Sequence, residues 1–456
     1  MKFINLTRHT EIGANSYCLE AAGKCVILDS GMHPKERGEN ALPDFRALDD
    51  RSVDAILVSH AHQDHFGTLP ILMRRVPKVP VFMTEATGEM GDVLLHNSVN
   101  VMTRQREELG LASYPLFTHR EADRAADRWQ FCRFRQQYDT AGERVGYDAP
   151  LTFELVDAGH VLGSAGILLR AEGRTIFYTG DVNFDEQTLM QPASFPENGV
   201  DVLIMECTRG DAPASPDWSR ASEEKRFASA IAETFRRGGC VLAPVFALGK
   251  TQEALAMLWK FRREKWLDDF PIYIGGLSSK MTEIYDRRST ESRRQWPRLQ
   301  LLKEVAPFVL NGQTIGEAPA RPGRVYALSS GMMTAKTLSN TFARRVVENP
   351  AHSILFVGYA DPASPGGILR ATKTGDAISL DPELPPQMLR CHVEAFQFSA
   401  HASRESLVAY AQKLAPQKIV LVHGDPPAVA WMRGQLAAQL PRAEIIVPAP
   451  GEEIDL

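Results

Sequence analysis

The feature that most constrains this chain is a run of metal-binding side chains directly after an apolar segment. Residues 54–58 predict a short buried strand, because they are mostly aliphatic and end in a β-branched valine. His60, His62, Asp64 and His65 then fall within six positions, and the residues after them have the pattern of a helix. Imidazole and carboxylate groups suit zinc, with iron and manganese as weaker alternatives.

The spacing of these four residues favours two metal ions over one. His60 and His62 can point the same way from an extended segment, whereas Asp64 and His65 lie round the turn and can aim elsewhere. The economical arrangement gives each pair its own metal ion. A polar loop that is merely rich in histidine is the competing interpretation, but three of the chain's 12 histidines occur in this one turn.

The bulk composition is that of an ordinary globular enzyme. With 456 residues the chain is long enough for two or three domains, and its formal net charge of −5 gives no overall attraction to nucleic acid. Six scattered cysteines without a Cys-x-x-Cys pair predict reduced, mostly buried thiols of an intracellular protein. We find neither a signal-peptide pattern nor an apolar run of about 18 residues, so we expect no membrane span.

Several later strand patterns also end at residues that bind metals or transfer protons. An alternating strand at 151–156 leads to His160, and a strand at 175–178 leads to Asp181. Three further apolar strands end at, or lead to, Glu206, His401 and His423. This repetition favours a metal-binding role for Asp181 over that of a turn residue. For Asp29, which follows the strand at 26–28, the sequence alone favours a turn residue.

The middle of the chain has a different pattern. Apolar strands alternate there with helices, at 240–245, 272–274, 325–328 and 353–357. Strands that are apolar throughout indicate a parallel sheet with helices on both faces. We therefore predict a first domain that begins in residues 1–208 and is completed by residues 386–456, with a second α/β domain at 209–385.

Together these motifs resemble those of the metallo-β-lactamase superfamily and, within it, the β-CASP family. The run from His60 to His65 resembles the superfamily signature, and the segments around His160 and Asp181 match its later ligand motifs in order and spacing. Residues 206–210 (Glu-Cys-Thr-Arg-Gly), 398–402 (Phe-Ser-Ala-His-Ala), 421–425 (Leu-Val-His-Gly-Asp) and 244–253 resemble the motifs of the β-CASP insert. Two departures are Cys207, where serine is usual, and Lys250, where arginine is commoner.

The resemblance covers nearly the whole chain and implies both a fold and a ligand set. The implied fold is an α/β protein, an αββα metallo-β-lactamase sandwich with an inserted α/β β-CASP domain of mostly parallel strands. Two Zn²⁺ ions per chain are implied, one held by His60, His62, His160 and Asp181, the other by Asp64, His65, Asp181 and His423. Asp29 would orient a metal-binding histidine. His401, paired with Glu206, would protonate the leaving oxygen while a metal-activated water attacks phosphorus, and Asp64 is counted among the catalytic residues.

The residue at position 423 bears on the substrate. RNA-directed members of the family carry histidine there, and DNA-directed members typically carry an apolar residue. We therefore expect a zinc-dependent ribonuclease for single-stranded RNA, similar to the short bacterial members and to the core of the eukaryotic pre-mRNA 3′-end endonuclease. The sequence leaves endonuclease and 5′-exonuclease action both open.

Other expectations are less specific. Lys250, Ser329, Ser330 and Gly331 are expected to approach a substrate phosphate. The cluster Arg287, Arg288, Arg293, Arg294 and Arg298, together with Lys280, Lys336, Arg344 and Arg345, either tracks a phosphate backbone or forms ordinary solvated helix faces. We expect a cytoplasmic protein without a membrane partner, and the resemblance allows a homodimer. The alternatives are a metallohydrolase of the same fold acting on DNA or on a small phosphodiester or ester, and an inactive scaffold subunit, which the complete ligand set disfavours.

Overall fold

The computed structural model describes residues 1–146, 149–215 and 217–456, which form two compact units. The first unit comprises Met1–Asp185, Pro192–Ala214 and Ala400–Leu456, and the second comprises Glu186–Gln191 and Ser215–Ser399. The predicted domain limits after residues 208 and 385 stay predictions. None of the helices in the described ranges is long and apolar enough to cross a membrane.

The first unit contains two seven-stranded mixed sheets. The strands of its first sheet are β1 (Lys2–Asn5), β2 (Tyr17–Ala21), β3 (Lys24–Leu28), β4 (Ala55–Leu57), β5 (Val81–Met83), β6 (Trp129–Phe131) and β22 (Glu453–Asp455). Those of its second sheet are β7 (Gln137–Asp139), β8 (Leu151–Asp157), β9 (Ala165–Ala171), β10 (Arg174–Tyr178), β11 (Val202–Glu206), β20 (Lys418–Val422) and β21 (Glu444–Ile446). The orders are β22-β1-β2-β3-β4-β5-β6 and β21-β20-β11-β10-β9-β8-β7.

The apolar core of the first unit lies between these two sheets, because strand residues alternate between the two faces. Phe3 and Leu57 of the first sheet share one buried cluster with Phe153 and Ile204 of the second. The outer faces are covered by α1 (Gln63–Phe66), α2 (Leu69–Arg75), α3 (Glu85–Leu109) and α4 (His119–Ala126) on one side, and by α11 (Arg404–Leu414) and α12 (Pro426–Gln439) on the other. The predicted αββα sandwich is confirmed.

The second unit is built on a parallel sheet. Its strands are β12 (Val241–Pro244), β13 (Ile272–Gly275), β14 (Phe308–Leu310), β15 (Val325–Leu328), β16 (Ser353–Phe356) and β19 (His392–Ala395), in the order β14-β13-β15-β12-β16-β19. Every neighbouring pair is parallel, as predicted for the insert. A separate antiparallel pair is formed by β17 (Ala377–Ile378) and β18 (Gln387–Met388).

Helices flank this parallel sheet, as its apolar strands require. They are α5 (Arg220–Arg236), α6 (Lys250–Arg263), α7 (Gly276–Arg287), α8 (Leu301–Val305), α9 (Leu338–Val346) and α10 (Pro365–Ala371). Phe342 of α9 and Leu369 of α10 share a buried cluster with Leu242, Tyr326 and Ile354 of the sheet. The α/β character predicted for the middle of the chain is thus confirmed.

Two elements differ from the sequence prediction. The helix expected to follow His65 already begins at Gln63, because the backbone N–H groups of His65 and Phe66 both donate to the carbonyl oxygen of His62. The strand expected to lead to His401 already ends at Ala395, and it pairs with β16 in the sheet of the second unit. The six cysteines are buried and form no disulfide within the described residues.

Candidate metal centre

The metal-binding side chains of the first unit gather beyond the carboxyl ends of strands from both sheets. His60 and His62 follow β4, His160 follows β8, Asp181 follows β10 and His423 follows β20. Strand β8 runs in the same direction as β10, because each is antiparallel to β9. The strand ends therefore meet at one edge, and residues far apart in the sequence become neighbours.

The first group consists of His60, His62, His160 and Asp181. The Nδ1 atom of His62 lies 3.1 Å from the Nε2 atoms of both His60 and His160. Asp181 Oδ2 is 3.5 Å from His60 Nε2 and 3.6 Å from His160 Nε2. Ligand atoms at zinc-binding distance in a tetrahedron are about 3.4 Å apart, so these separations suit a common metal ion.

The second group consists of Asp64, His65 and His423, with Asp181 beside it. The Nε2 atoms of His65 and His423 are 3.4 Å apart, and His423 Nε2 is 3.3 Å from Asp64 Oδ2. Asp181 Oδ1 is 3.2 Å from His65 Nε2. The two carboxylate oxygens of Asp181 therefore face different groups, which is the position of a residue that bridges two metal ions.

The central carboxylate carries direct evidence that the site suits a cation. Asp181 is 3 % exposed, and its Oδ1 atom accepts no well-formed hydrogen bond within the described part of the chain. A buried carboxylate oxygen without a donor is costly, because the hydration it loses is not replaced. A divalent cation bound between the two groups removes that cost.

The protonation states of the first group also favour metal binding. Burial lowers the pKa of His60, His62 and His160, so these rings stay neutral, which is the form that binds metals. Burial alone would raise the pKa of the Asp181 carboxyl, but the surrounding histidines, His423 first, hold it well below its ordinary value. The first group is therefore deprotonated without the help of a metal. In the second group, burial alone would lower the pKa of His65, but the neighbouring carboxylates, Asp181 first, raise it well above its ordinary value, so that ring must lose a proton to bind a metal.

A buried carboxylate supports the second group from behind. Asp29 is fully buried, and its Oδ2 atom is 2.8 Å from Nδ1 of His65. The Asp29 carboxylate also accepts hydrogen bonds from the backbone N–H of Ser59, at 2.7 Å, and from the Tyr178 hydroxyl, at 2.6 Å. With Nδ1–H of His65 donating to Asp29, the lone pair of Nε2 faces the metal group. This arrangement fits the orienting role that the resemblance implies for Asp29.

Several supporting residues were not predicted from the sequence. The Thr208 hydroxyl lies 2.8 Å from Nδ1 of His423, and the Ala400 carbonyl oxygen lies 2.8 Å from Nδ1 of His160. Tyr178 holds Asp29, although 149 positions separate them. Of these residues, only Thr208 could have been found from the sequence, because it lies inside the segment 206–210 that resembles a family motif. The contact of Ala400 is made by its backbone carbonyl oxygen, which every residue has, so residue identity does not predict it.

A carboxylate–histidine pair lies beside the first group. Nδ1 of His401 is 3.1 Å and 3.3 Å from the two oxygens of Glu206, which is itself buried. The backbone N–H of Val182 donates to Glu206 Oε1 at 2.7 Å and fixes the carboxylate. Nε2 of His401 is 3.9 Å from Asp181 Oδ2. The ring thus has one nitrogen held by a carboxylate and the other turned towards the ligand groups, an arrangement able to deliver a proton.

The predicted substrate-binding residues belong to the second unit. Lys250 is the first residue of α6, and its Nζ donates to the carbonyl oxygen of Phe398. The Ser329 carbonyl accepts the N–H of Ser339, at 2.9 Å, and the hydroxyl of Ser330 lies 3.2 Å from that of Thr334. Gly331 lies against the Phe246 ring, 2.9 Å from where a Cβ would stand. Their binding of substrate stays a prediction.

Two of the insert's arginines have structural roles. Arg294 is 2 % exposed and donates to the carbonyl oxygen of Tyr285, so it is not available to a phosphate backbone. Arg345 donates to the carbonyl oxygens of Ile315 and Ala318, at 2.6 and 2.7 Å. For these two residues the phosphate-tracking interpretation is therefore disfavoured.

Replacing Thr208 with Val tests the support of His423. The change keeps the shape and removes the hydroxyl, so we expect the second metal ion to bind roughly 10- to 100-fold more weakly, the usual cost of losing such support. Chelator competition measures this affinity. Thr208→Ser, which keeps the hydroxyl, should restore it. Equal affinity in all three proteins would show that the hydroxyl does not support the site.

The architecture and the site together define a class of protein. A two-sheet αββα sandwich with histidines and aspartates collected at its strand ends is the fold of a metallohydrolase. Residues 9–232 match the family model described as metallo-beta-lactamase superfamily, residues 251–369 match the Beta-Casp domain, and residues 387–448 match the Zn-dependent metallo-hydrolase RNA specificity domain. The chain belongs to the metallo-β-lactamase superfamily and carries a β-CASP domain. Divalent metal binding follows from this membership together with the ligand cluster.

Named relatives agree with this assignment. The chain is 28 % identical to endoribonuclease ysh1 of Schizosaccharomyces pombe, over 98 % of this chain and 57 % of that protein. It is 30 % identical to cleavage and polyadenylation specificity factor subunit 3 of Dictyostelium discoideum, over 96 % of this chain and 55 % of that protein. The chain thus spans a little over half the length of these eukaryotic relatives.

Two other proteins match the chain over nearly their full length. An RNase J-like protein of Methanocaldococcus jannaschii is 28 % identical, over 91 % of this chain and 90 % of that protein. A solved structure of a protein of unknown function from Enterococcus faecalis V583 covers 100 % of this chain and 99 % of its own, with a TM-score of 0.56 and 14 % identity. At that identity the structural likeness shows the fold alone.

Proposed function

We propose that this protein is a metal-dependent ribonuclease that hydrolyses phosphodiester bonds of single-stranded RNA with two zinc ions. The observation that carries the proposal is the pair of complete ligand groups that share Asp181, with His401 beside them. The names of the relatives, which include endoribonucleases and an RNase J-like protein, support RNA as the substrate. The match of residues 387–448 to an RNA specificity domain supports it further.

The proposed ligand sets follow the two groups. His60, His62, His160 and Asp181 hold one zinc ion, and Asp64, His65, His423 and Asp181 hold the other. Such a pair of ions would supply Lewis acidity to a phosphate and would lower the pKa of a water molecule. Metal binding requires neutral imidazoles and ionised carboxylates. Burial favours the neutral form of His60 and His160, and the neighbouring histidines favour the ionised form of Asp181.

The proton for the leaving group comes from His401 in this proposal. Its Nδ1 stays bound to the Glu206 carboxylate, which stabilises the positive charge of the protonated ring. Its Nε2 then faces the ligand groups and can donate to the departing oxygen. Asp29 and Thr208 act by orienting His65 and His423, and they contact no reacting atom.

Finer features belong to the same proposal. Zinc is favoured over iron and manganese by the family match at residues 387–448, which names a zinc-dependent hydrolase. His423 favours RNA over DNA, and endonuclease and 5′-exonuclease action both fit the site.

Residues 1–208, 209–385 and 386–456 are proposed as the domain segments. The cytoplasm is proposed as the compartment, consistent with six buried cysteines that form no disulfide in the described ranges, and a homodimer remains part of the proposal.

The test is a cleavage assay on end-labelled single-stranded RNA and DNA of the same sequence. With zinc present we expect fragments from RNA and none from DNA, loss of cleavage on chelation, and recovery when zinc is returned. Internal fragments would define an endonuclease, and nucleotides released from the 5′ end an exonuclease. Cleavage of DNA alone, or of neither strand by a protein with two metal ions bound, would contradict the proposal and favour another phosphodiester or ester.

A further inference from the structure

An arginine follows the strand that supplies the carboxylate of the carboxylate–histidine pair. Strand β11 ends at Glu206, whose carboxylate lies 3.1 Å from Nδ1 of His401. Two residues further on, the hydroxyl of Thr208 lies 2.8 Å from Nδ1 of His423. Arg209 is the next residue. This short segment therefore borders both the carboxylate–histidine pair and the second ligand group, and Arg209 brings a positive charge to their margin.

The guanidinium of Arg209 lies near two loops of the metal centre. Its Nη1 atom is 3.5 Å from the backbone carbonyl oxygen of His401. It also acts on Asp185, four residues after Asp181. Burial raises the pKa of the Asp185 carboxyl, and the positive charge of Arg209 opposes that rise. The side chain is thus placed beside the loop of His401 and the loop that carries the central carboxylate, all within the first unit.

Most of the hydrogen-bond donors of Arg209 are unused. Across the residues that the structure describes, its side chain makes no ion pair, and the long contact with the His401 carbonyl is its one hydrogen bond. A guanidinium carries five N–H donors in a planar fork. Arg404, in the same part of the unit, is instead engaged, because it lies 4.0 Å over the Trp431 ring and donates to Glu405. Arg209 is half-buried, so its donors remain within reach of a ligand from solvent.

An anionic substrate needs a positive charge of this kind at the metal centre. The formal net charge of the chain is −5, so a polyanion must be bound by local cations. Two divalent ions would be balanced in charge by the ionised carboxylates of the centre, Asp29, Asp64, Asp181 and Glu206. The loaded centre would then leave little excess positive charge for the rest of a nucleic-acid strand.

We propose that Arg209 binds a backbone phosphate of single-stranded RNA beside the metal centre. Two N–H groups of the guanidinium donate to two non-bridging oxygens of that phosphate, in the bidentate geometry that suits arginine. Such a contact positions the strand and carries no information about the bases. The inference rests on the proposed ribonuclease function, and it assigns to that function a substrate-binding residue outside both ligand groups.

The test measures RNA binding by fluorescence anisotropy as a function of salt concentration. The probe is a labelled oligouridylate, and the zinc-loaded full chain carries His401→Ala so that cleavage is slow. We expect Arg209→Gln to weaken binding roughly fivefold at moderate salt, the upper end for a charge contact at a partly exposed site. The slope of log K against log salt should become shallower by about 0.7, the value for one phosphate contact on a single strand.

Two further variants identify the cause of this change. Arg209→Lys keeps the charge and should keep the slope, although it binds more weakly because an ammonium does not make the two parallel bonds. Arg442→Gln is the matched control. Arg442 is exposed, makes no ion pair to any described residue, and precedes β21 at the amino end of the sheet, opposite the end that carries His423. It should change neither the affinity nor the slope.

The probe itself offers another check. Because the contact is made to the backbone, Arg209→Gln should weaken binding of an oligoadenylate and an oligouridylate by the same factor. Zinc content and thermal unfolding confirm that each variant is loaded and folded, and Arg209→Met provides a second neutral variant should the glutamine variant fail to fold. An unchanged salt slope in a folded neutral variant, or an equal change of slope in Arg442→Gln, would overturn the proposal.

The outcomes also separate this inference from the proposed function. If the unmodified zinc-loaded chain cleaves RNA and Arg209→Gln leaves the salt slope unchanged, the phosphate site is wrong and the ribonuclease proposal stands. If Arg209→Gln makes the slope shallower but the unmodified chain cleaves no RNA, the phosphate site stands and the ribonuclease proposal is contradicted.

Discussion

Replacing Asp181 with Asn is expected to abolish hydrolysis, with a rate at least roughly 10³-fold lower. The reason is that the two oxygens of Asp181 face different ligand groups, so one change removes a charge from both. Several kcal/mol of transition-state stabilisation come from metal ions in such sites, and each 1.36 kcal/mol is a factor of ten in rate. We therefore expect loss of bound metal together with loss of activity.

The measurement pairs metal content, determined by elemental analysis, with the cleavage rate on RNA. Asp185→Asn is the matched control, because the same chemical change is made four residues away at a partly buried carboxyl that belongs to neither ligand group. That control should keep two metal ions and most of the activity. A fully active Asp181→Asn protein with two bound ions would show that the bridging assignment is wrong.

Much of this fold follows from local sequence patterns. The apolar run before His60 became β4, the strand patterns before His160 and Asp181 became β8 and β10, and the all-apolar strands of the insert became a parallel sheet. These predictions succeed because a strand buried on one face alternates apolar and polar residues, whereas a strand buried on both faces is apolar throughout. Chain order then brings the strand ends to one edge.

Contacts between distant positions could not be predicted in the same way. Strand β19 pairs with β16 because that edge of the sheet in the second unit is open to it. The residues of β19, 392–395, have a pattern that would suit a strand in either unit, so the sequence does not indicate which sheet they join. The contact of His401 with Glu206 joins positions 195 apart, and it was expected only from the family resemblance. The connection between β14 and β15 follows an irregular path, and no periodic pattern in the sequence predicts such a path.

The hydrogen bonds that support the metal centre could be predicted from the sequence only in part. Asp29 looks like a turn residue in the sequence, and its φ of +60° places it in the left-handed region. Its functional position appears only when Ser59, His65 and Tyr178 converge on it. The fully buried Asp29 carboxylate accepts four hydrogen bonds, two of them from Ser59, and these donors fix its position. The sequence alone does not show which residues these donors are.

Replacing His401 with Ala is expected to slow RNA cleavage by about 10²- to 10⁴-fold while two metal ions stay bound. This is the usual contribution of a positioned acid that protonates a leaving group. The size of the effect should depend on the leaving group, because a group that departs readily as an anion needs no proton. We therefore expect Ala at position 401 to have little effect on hydrolysis of bis(p-nitrophenyl) phosphate, whose phenolate leaves without protonation.

The comparison of the two substrates distinguishes an acid from a structural residue. Asp181→Asn should lose activity on both substrates, since metal ions are needed for either. His392→Ala, an exposed histidine of β19, is the matched control and should keep both activities. If His401→Ala slowed both substrates equally at full metal content, His401 would act on binding or site geometry, because a missing proton donor penalises only the leaving group that requires one.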